Sequence, residues 1–238
     1  MSSRAVRFPR HPVVTSLGHL VTAVVLTAPL AWQHGRLPLG TEPVATVPRF
    51  NLWTLSWTAD RLPHGFAGWW DAPIFWPQAG AFAFSEPQPL TGLAFALVRP
   101  LVGPTGGSAT VLVVTVALNG VAGAAVARRL GADRVPAFLA GVLAQALPFA
   151  MDQVGVLQLL ALWPLLAATA ALLAWAEHPR RRHAIAFGLA LVAAVGTCGY
   201  YAVLYAVCVG LALPVLADRS WSIDRRPRLA HPGWAAPA

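Results

Sequence analysis

The sequence has no lysine, few acidic residues and few cysteines. All 17 basic residues are arginine, 9 residues are acidic, and charged residues make up 11% of the chain, against about 25% in a typical soluble domain. This scarcity of charge excludes an ordinary water-soluble domain. The two cysteines, Cys198 and Cys208, have no metal-binding spacing, and we expect each to pack as a small apolar side chain.

Long apolar runs are present instead. Hydrophobic residues make up 57% of the chain, and the mean hydropathy is +0.59. Uncharged runs such as VVTSLGHLVTAVVLTAPLAW (13–32) reach the roughly 20 residues that a helix needs to cross a bilayer. The sequence therefore predicts an all-α, polytopic membrane protein. Six spans are predicted, at 13–32, 108–127, 136–150, 157–176, 184–198 and 201–217.

The arginines predict the orientation of these spans. With both termini in the cytoplasm, 13 of the 17 arginines lie inside, and four lie outside: Arg36, Arg49, Arg61 and Arg99. This asymmetry follows the positive-inside rule, so the net charge of +8 gives no reason to expect nucleic acid as a partner. The rule also requires that 88–103 does not cross, which predicts a re-entrant or interfacial helix there. We expect a cytoplasmic-membrane protein with a polar, disordered tail at 218–238.

The one large segment outside the membrane is the predicted outer loop 33–107. Within it, FNLWTLSWTADRL (50–62) has helical spacing, with an aliphatic, an aromatic and a polar stripe. Such a helix suits the membrane–water boundary. Two interpretations stay open: a plain interfacial anchor, or a helix whose polar stripe forms one wall of a site. The stripe consists of Asn51, Thr54, Thr58 and Arg61.

The same loop contains WWDAPIFWPQAGAFAFSE (69–86). Its aromatic residues Trp69, Trp70, Phe75 and Trp76 are expected at the depth of the lipid headgroups, where they would hold Asp71 and Glu86 against the outer leaflet. Carboxylates in apolar surroundings have altered proton affinity, which suits a general base or a metal ligand. The alternative is that both carboxylates are simply solvated.

Several segments, in their order along the chain, resemble bacterial membrane glycosyltransferases of the GT-C superfamily, which use polyprenyl-phosphate sugars. The segments are NLWTLSW, DAPIFWPQAGAFAFSE, ARRLGA, LAGVLAQALPF, GVLQLLALWPLLA and the CGYY hairpin, and the likeness covers residues 13–217. It implies sugar transfer at the outer face, with membrane lipid and a lipid-linked sugar as partners.

The resemblance also suggests roles for residues of the outer loop. Glu42 takes the family position of the base, and Asp71 and Glu86 are alternative bases or ligands of a divalent metal ion, the candidate cofactor. Positive charge on the leaving phosphate would come from the outer arginines nearest these acids. Those arginines are Arg49, Arg61 and Arg99.

Members of that superfamily generally have more spans and a soluble C-terminal domain. We therefore expect this chain to correspond to an N-terminal or truncated portion, with a second chain as a candidate to complete the fold. Two other classes stay open: a transporter or flippase component, and a non-catalytic or degenerate membrane protein. His19 is the one ionisable group expected inside a span, and we expect it to be packed and hydrogen-bonded rather than a proton relay. Asn119 and Gln145 are expected to form hydrogen bonds between helices.

Overall fold

The computed structural model describes residues 12–28 and 46–217, and within them the chain is helical with no strand. This confirms the all-α prediction. Two short 3₁₀ turns, Leu62–His64 and Ala81–Phe84, lie between Arg61 and Pro89. The helices are α1 (Pro12–Leu26), α2 (Thr46–Arg61), α3 (Pro89–Arg129), α4 (Arg134–Gln145), α5 (Pro148–Asp152), α6 (Leu157–Leu160), α7 (Trp163–Glu177), α8 (Arg181–Thr197) and α9 (Gly199–Ala217).

Three stretches of the described chain are long and apolar enough to cross a bilayer. They are Pro89–Arg129, Arg134–Asp152 and Leu157–Glu177. Two further helices, Val13–Leu26 and Gly199–Ala212, are apolar but shorter. Apolar helices of this kind indicate a membrane protein, as the composition predicted.

Helix α3 bends sharply at Gly103, which has φ 76° and ψ 173°. Glycine adopts this backbone conformation without a steric penalty, and the next residue, Pro104, has no N–H to continue the helical hydrogen bonds. A Cβ on Gly107 would lie 3.3 Å from the Arg99 Cα and 3.1 Å from the Phe95 ring. The chain therefore folds back at the bend, and 89–102 forms a separate arm that packs against the long part of α3.

Helix α3 is the centre of the fold, and α1, α2, α4, α7 and α8 all pack on it. Its buried Leu112 and Val116 form one core with Leu55 of α2, Ala23 of α1 and Leu160 of α6. Small residues allow the helices to approach closely. Gly120 lies against Gln145 and His19, and Gly123 lies against Ala144.

Buried polar side chains join these helices, as predicted. His19 Nδ1 lies 3.2 Å from Gln145 Oε1, and Gln145 Nε2 donates to the His19 carbonyl oxygen at 2.7 Å. Asn119 donates to the Leu160 carbonyl oxygen and accepts from the Trp163 N–H, each at 2.8 Å. Both cysteines are free.

The largest departure from the predicted spans lies at 146–162. Helix α4 ends at Gln145 and α7 begins at Trp163, so this segment carries only the short helices α5 and α6. Irregular backbone at membrane depth must find its hydrogen bonds within the protein. Carbonyl groups of Gly155, Leu159 and Leu160 accept from the side chains of Asn51, Tyr201 and Asn119. The segment is thereby tied to three separate helices, α2, α9 and α3.

Candidate functional site

The helix predicted at 50–62 is α2, and its polar face is buried. Asn51, Thr54 and Thr58 are all enclosed by protein, with Thr54 fully covered. Phe50, Trp53 and Trp57 stack along another face of the same helix. A plain interfacial anchor would turn its polar stripe toward water, so the burial favours the alternative interpretation, a wall of a site.

The loop that follows α2 folds back and covers this polar face. Trp57 Nε1 donates to the Trp69 carbonyl oxygen at 2.8 Å, and Trp69 Nε1 donates to Thr58 Oγ1 at 3.1 Å. The buried Phe82 ring packs edge-on against both Trp53 and Trp69. We call the segment 62–84 the aromatic lid.

The aromatic residues expected at headgroup depth thus separate into two groups. Trp69 packs inward over α2, whereas Trp70, Phe75 and Trp76 are exposed, Trp76 by 87%. Asp71 fastens the loop that presents them, because its Oδ1 accepts the Gly80 N–H at 2.9 Å. The Asp71 carboxylate therefore has a structural partner within the lid.

Gln88, immediately before α3, is the centre of a buried amide cluster. Its side chain is 2% exposed, and Nε2 donates to Asn51 Oδ1 at 2.8 Å and to Gln158 Oε1 at 3.2 Å. Asn51 Nδ2 donates to the carbonyl oxygens of Val47 and Gly155. Because these carbonyl groups can only accept, they fix the orientation of Asn51 and hence of Gln88. Gln88 Oε1 is left without a partner among the described residues.

Buried polar atoms without a hydrogen-bond partner concentrate beside the amide cluster. Within residues 12–28 and 46–217 they are His19 Nε2, Thr54 Oγ1, Arg61 Nε, Ser85 Oγ and Gln88 Oε1. All except the histidine nitrogen belong to the polar face of α2 or to the segment 85–88. Leaving such an atom unpaired costs about 1–3 kcal/mol. The concentration marks this region as the candidate site.

Glu86 lies in the same segment, between Ser85 and Gln88, and is partly buried. Burial raises the pKa of Glu86, and hydrogen bonding by the Tyr200 side chain and the Gly199 backbone lowers it in part. A carboxyl group whose pKa moves toward neutrality is suited to general acid–base work. Two of the three acids predicted for the site are described, and of these Asp71 is exposed whereas Glu86 is partly buried. Glu42 lies outside the described residues.

The three predicted phosphate-binding arginines have different surroundings. The guanidinium carbon of Arg61 lies 4.1 Å from the centre of the Trp57 ring, a cation–π contact that fixes the group at the end of the polar face. Arg99 is paired with Asp60 at 2.7 Å, and Arg49 is exposed on the first turn of α2. Arg61 is therefore the best placed of the three to meet an anion at the site.

Asp71 and Glu86 do not form a metal site with their described neighbours. Residues 12–28 and 46–217 contain no group of three or more His, Cys, Asp or Glu side chains placed to hold a metal ion. Asp71 also uses one carboxylate oxygen for the Gly80 amide. The chemistry available at the site is hydrogen bonding by hydroxyls and amides, proton transfer at Glu86, and the positive charge of Arg61.

The sequence did not single out Ser85, Gln88, Gln158 or Tyr200. Gln88 lies between Pro87 and Pro89, and a polar residue in that position at a helix start is a weak signal for a buried contact. Tyr200 was part of the CGYY hairpin, whose predicted turn is confirmed by the break at Cys198 between α8 and α9.

Fold and site together define an all-helical membrane protein in which the polar face of α2 is buried beneath an aromatic lid. Residues 55–232 match the family described as a domain of unknown function, DUF6311. This is about three quarters of the chain, which therefore belongs to that family. The match begins within α2 and includes the lid and two members of the amide cluster, Gln88 and Gln158, while Asn51 precedes it. No curated protein and no solved structure matches the chain.

Proposed function

We propose that this chain is a glycosyltransferase-like enzyme of the cytoplasmic membrane, which transfers a sugar from a polyprenyl-phosphate donor at the outer face. The observation that carries the proposal is the partly buried carboxyl of Glu86, with its raised pKa, next to a concentration of buried polar atoms. A carboxylate with a raised pKa is a stronger base toward an acceptor hydroxyl than an ordinary solvated carboxylate. The resemblance to GT-C enzymes supplies the reaction class.

The proposed step needs only a base and a positive charge. Glu86 takes the proton of the acceptor hydroxyl while the oxygen of that hydroxyl attacks the anomeric carbon of the donor sugar. The bond between that carbon and the phosphate oxygen breaks, and its electron pair leaves with the polyprenyl phosphate. Arg61 stabilises the phosphate anion. The product is a glycoside, and no oxidant, reductant or metal ion is required for the balance.

The other predicted residues enter the proposal in weaker roles. Asp71 and Arg99 already have partners, Gly80 and Asp60, so part of the hydrogen-bonding capacity of each is taken up by the fold. Glu42 is the alternative base that the resemblance favours. Arg49 is free to meet a phosphate at the membrane surface, because it is exposed on α2.

The topology in this proposal is six spans with both termini in the cytoplasm. Two contacts support it. Arg129 at the end of α3 lies 3.8 Å from Glu177 at the end of α7, and both positions are expected inside. Leu90 and Gly196, both expected outside, are close enough that a Cβ on Gly196 would lie 2.8 Å from the Leu90 Cβ.

A transporter would use ionisable groups along a path through its spans. His19 is the candidate for such a group, but its ring stacks on Phe138 with 4.6 Å between centres and is enclosed by Gly120, Gly141 and Gln145. A histidine held in this way serves packing. The surroundings of His19 therefore favour the enzyme over the transporter. The experiment below distinguishes the enzyme from a non-catalytic member of the family.

The test is transfer of radiolabelled sugar in proteoliposomes that contain the full chain. Polyprenyl-phosphate glucose, galactose and mannose serve as donors, and extracted cell-envelope glycan as acceptor. We expect Glu86→Gln to lower transfer about 10²- to 10⁴-fold, the usual worth of a positioned base, without loss of protein in the membrane. Asp152→Asn, at an exposed carboxylate outside the site, is the matched control.

Two results would contradict the proposal. Wild-type transfer by Glu86→Gln would remove Glu86 as the base, and parallel tests of Glu42→Gln and Asp71→Asn would show whether another acid takes that role. Absence of transfer with every donor would place the chain among non-catalytic membrane proteins.

A further inference from the structure

Arginines gather where α3 passes into α4 and where α7 passes into α8. The stretches 128–134 and 177–183 contain six arginines and two acidic residues, a net charge of +4 with the histidines counted as neutral. All six arginines are exposed, and we call them the arginine patch: Arg128, Arg129, Arg134, Arg180, Arg181 and Arg182. On a chain with so few charges, this is a concentrated positive surface.

An ion pair joins the two connections that form the patch. Arg129 Nη1 at the end of α3 lies 3.8 Å from Glu177 Oε2 at the end of α7. Helix α4 packs on α3, and α8 packs on α7, so both connections lie at the same end of one group of packed helices. The arginine patch is therefore a single surface to which each connection contributes.

The fold leaves much of this charge without an anionic partner. Within residues 12–28 and 46–217, three of the arginines have no hydrogen bond or ion pair: Arg134, Arg180 and Arg181. Arg134 and Arg181 are the first residues of α4 and α8, and neither helix has an acidic residue in its first turn. A positive charge there faces the positive end of the helix dipole, so it does not stabilise the helix. These arginines are suited to an anion from outside the fold.

Apolar side chains are exposed beside the patch. Leu130 follows Arg129, Val135 follows Arg134, and Trp175 lies in the last turn of α7, and all three are exposed. Tryptophan is enriched at the membrane–water boundary. An acidic protein or a nucleic acid would need the positive charge alone, whereas a phospholipid presents phosphate directly beside apolar chains. The combination of charge and apolar surface favours a lipid.

We propose that the arginine patch binds an anionic phospholipid with two phosphates, of the diphosphatidylglycerol class, with one phosphate at 128–134 and the other at 178–182. Guanidinium groups suit this role because they can hold a phosphate through two parallel hydrogen bonds. Two phosphates match the two connections that the Arg129–Glu177 contact holds together. The predicted orientation places the patch at the cytoplasmic leaflet, whose anionic lipids attract arginines near the surface. The proposal does not depend on sugar transfer.

Native mass spectrometry of the full chain in a mild detergent tests this site. The probes are tetraoleoyl diphosphatidylglycerol, dioleoyl phosphatidylglycerol and dioleoyl phosphatidylcholine, with the two anionic lipids compared at equal phosphate concentration. We expect one diphosphatidylglycerol to bind per chain before either other lipid does, and phosphatidylcholine to bind most weakly. In detergent the chain has no inner and outer side, so the effect of arginine on membrane orientation does not enter the measurement.

Arg134→Gln and Arg181→Gln each remove one arginine, from different connections. We expect each to weaken diphosphatidylglycerol binding about fivefold and the double variant to weaken it about 30-fold, the usual effect of arginine at an anionic lipid surface. Arg99→Gln is the matched control, since it removes the same charge at an arginine paired with Asp60, far along the chain from the patch, and should bind as the wild type does. Asp133→Asn removes a negative charge from the patch and should tighten binding.

Several outcomes would overturn the proposal. Equal binding of phosphatidylcholine and diphosphatidylglycerol, or wild-type binding by the double variant, would leave the arginines with a role in orientation alone. Equal binding of the two anionic lipids at equal phosphate concentration would reject a site built for two phosphates. If an arginine variant is lost through misfolding, Asp133→Asn still decides, because unchanged or weaker binding by that variant contradicts the proposal.

Discussion

At the scale of single residues, Glu86 connects the packing of the site to its proton chemistry. Burial, the larger effect, raises the pKa of this carboxyl above its ordinary value of 4.5, so the folded chain holds the proton more tightly than the unfolded chain. The resulting contribution to stability is fully present below pH 4.5 and is lost as the pH rises through the folded pKa. Above the folded pKa of Glu86, the fold keeps a partly buried carboxylate at a cost.

We therefore predict that Glu86→Gln gains stability relative to the wild type as the pH rises. Glutamine is neutral throughout, so the difference in melting temperature should increase in favour of the variant between pH 4 and pH 8. Thermal unfolding in a fixed detergent measures it. Asp152→Asn controls for removal of an exposed carboxylate. A pH-independent difference would mean that the Glu86 pKa is not raised.

At the scale of helices and loops, glycines set the distances between elements. Gly141 of α4 lies against the Gly120 carbonyl oxygen and the His19 ring, so a methyl group there has no space. Overpacking of this kind costs about 1–3 kcal/mol. The glycine thus makes room for the buried contact of His19 with Gln145, which joins α1 to α4.

We predict that Gly141→Ala destabilises the chain by about 1–3 kcal/mol, seen as a lower melting temperature in detergent. Gly188→Ala is the matched control: it lies inside α8 with nothing near its Cβ position, and alanine favours helix by up to about 1 kcal/mol. Equal melting temperatures for the two variants would show that α1 and α4 are not packed through Gly141.

The local sequence pattern was sufficient to predict helix α2, but not which of its faces is buried. The three stripes at 50–62 gave the helix and named Asn51, Thr54, Thr58 and Arg61 as a set. Which stripe would be buried depended on the aromatic lid, whose return over α2 is set by two indole hydrogen bonds that no periodicity encodes. Glycine and proline recur through the lid, and segments of this kind have no regular hydrophobic periodicity from which a structure could be predicted.

Long-range contacts account for the residues that the sequence left unnamed. Gln88 bonds to partners 37 and 70 positions away, and Glu86 meets Tyr200 at the start of α9. A single sequence contains no sign of such pairs. The same holds for 146–162, where apolar composition predicted continuous spans but side chains from α2, α3 and α9 stabilise an irregular backbone.

At the scale of the whole molecule, the distribution of arginines predicts an orientation in the membrane, and the packing of the arm 89–102 is compatible with it. Thirteen of the 17 arginines lie on one side if the arm 89–102 does not cross the bilayer. The bend at Gly103 folds this arm back along α3, so it can enter and leave on one side. Arg99 at mid-bilayer would cost about 2.5 kcal/mol or more, whereas in the folded arm it pairs with Asp60.

We predict that residue 78 faces the outside and residue 130 the cytoplasm. In a background with Cys198→Ala and Cys208→Ala, Gln78→Cys should react with a membrane-impermeant maleimide in intact cells, because it lies exposed on the aromatic lid. Leu130→Cys, exposed just after the Arg128 and Arg129 pair, should react only after permeabilisation. Labelling of Leu130→Cys in intact cells would mean that 89–102 crosses the bilayer and that each later span is inverted. That orientation would carry the α3–α7 ion pair of Arg129 and Glu177 to the outer face, against the positive-inside rule.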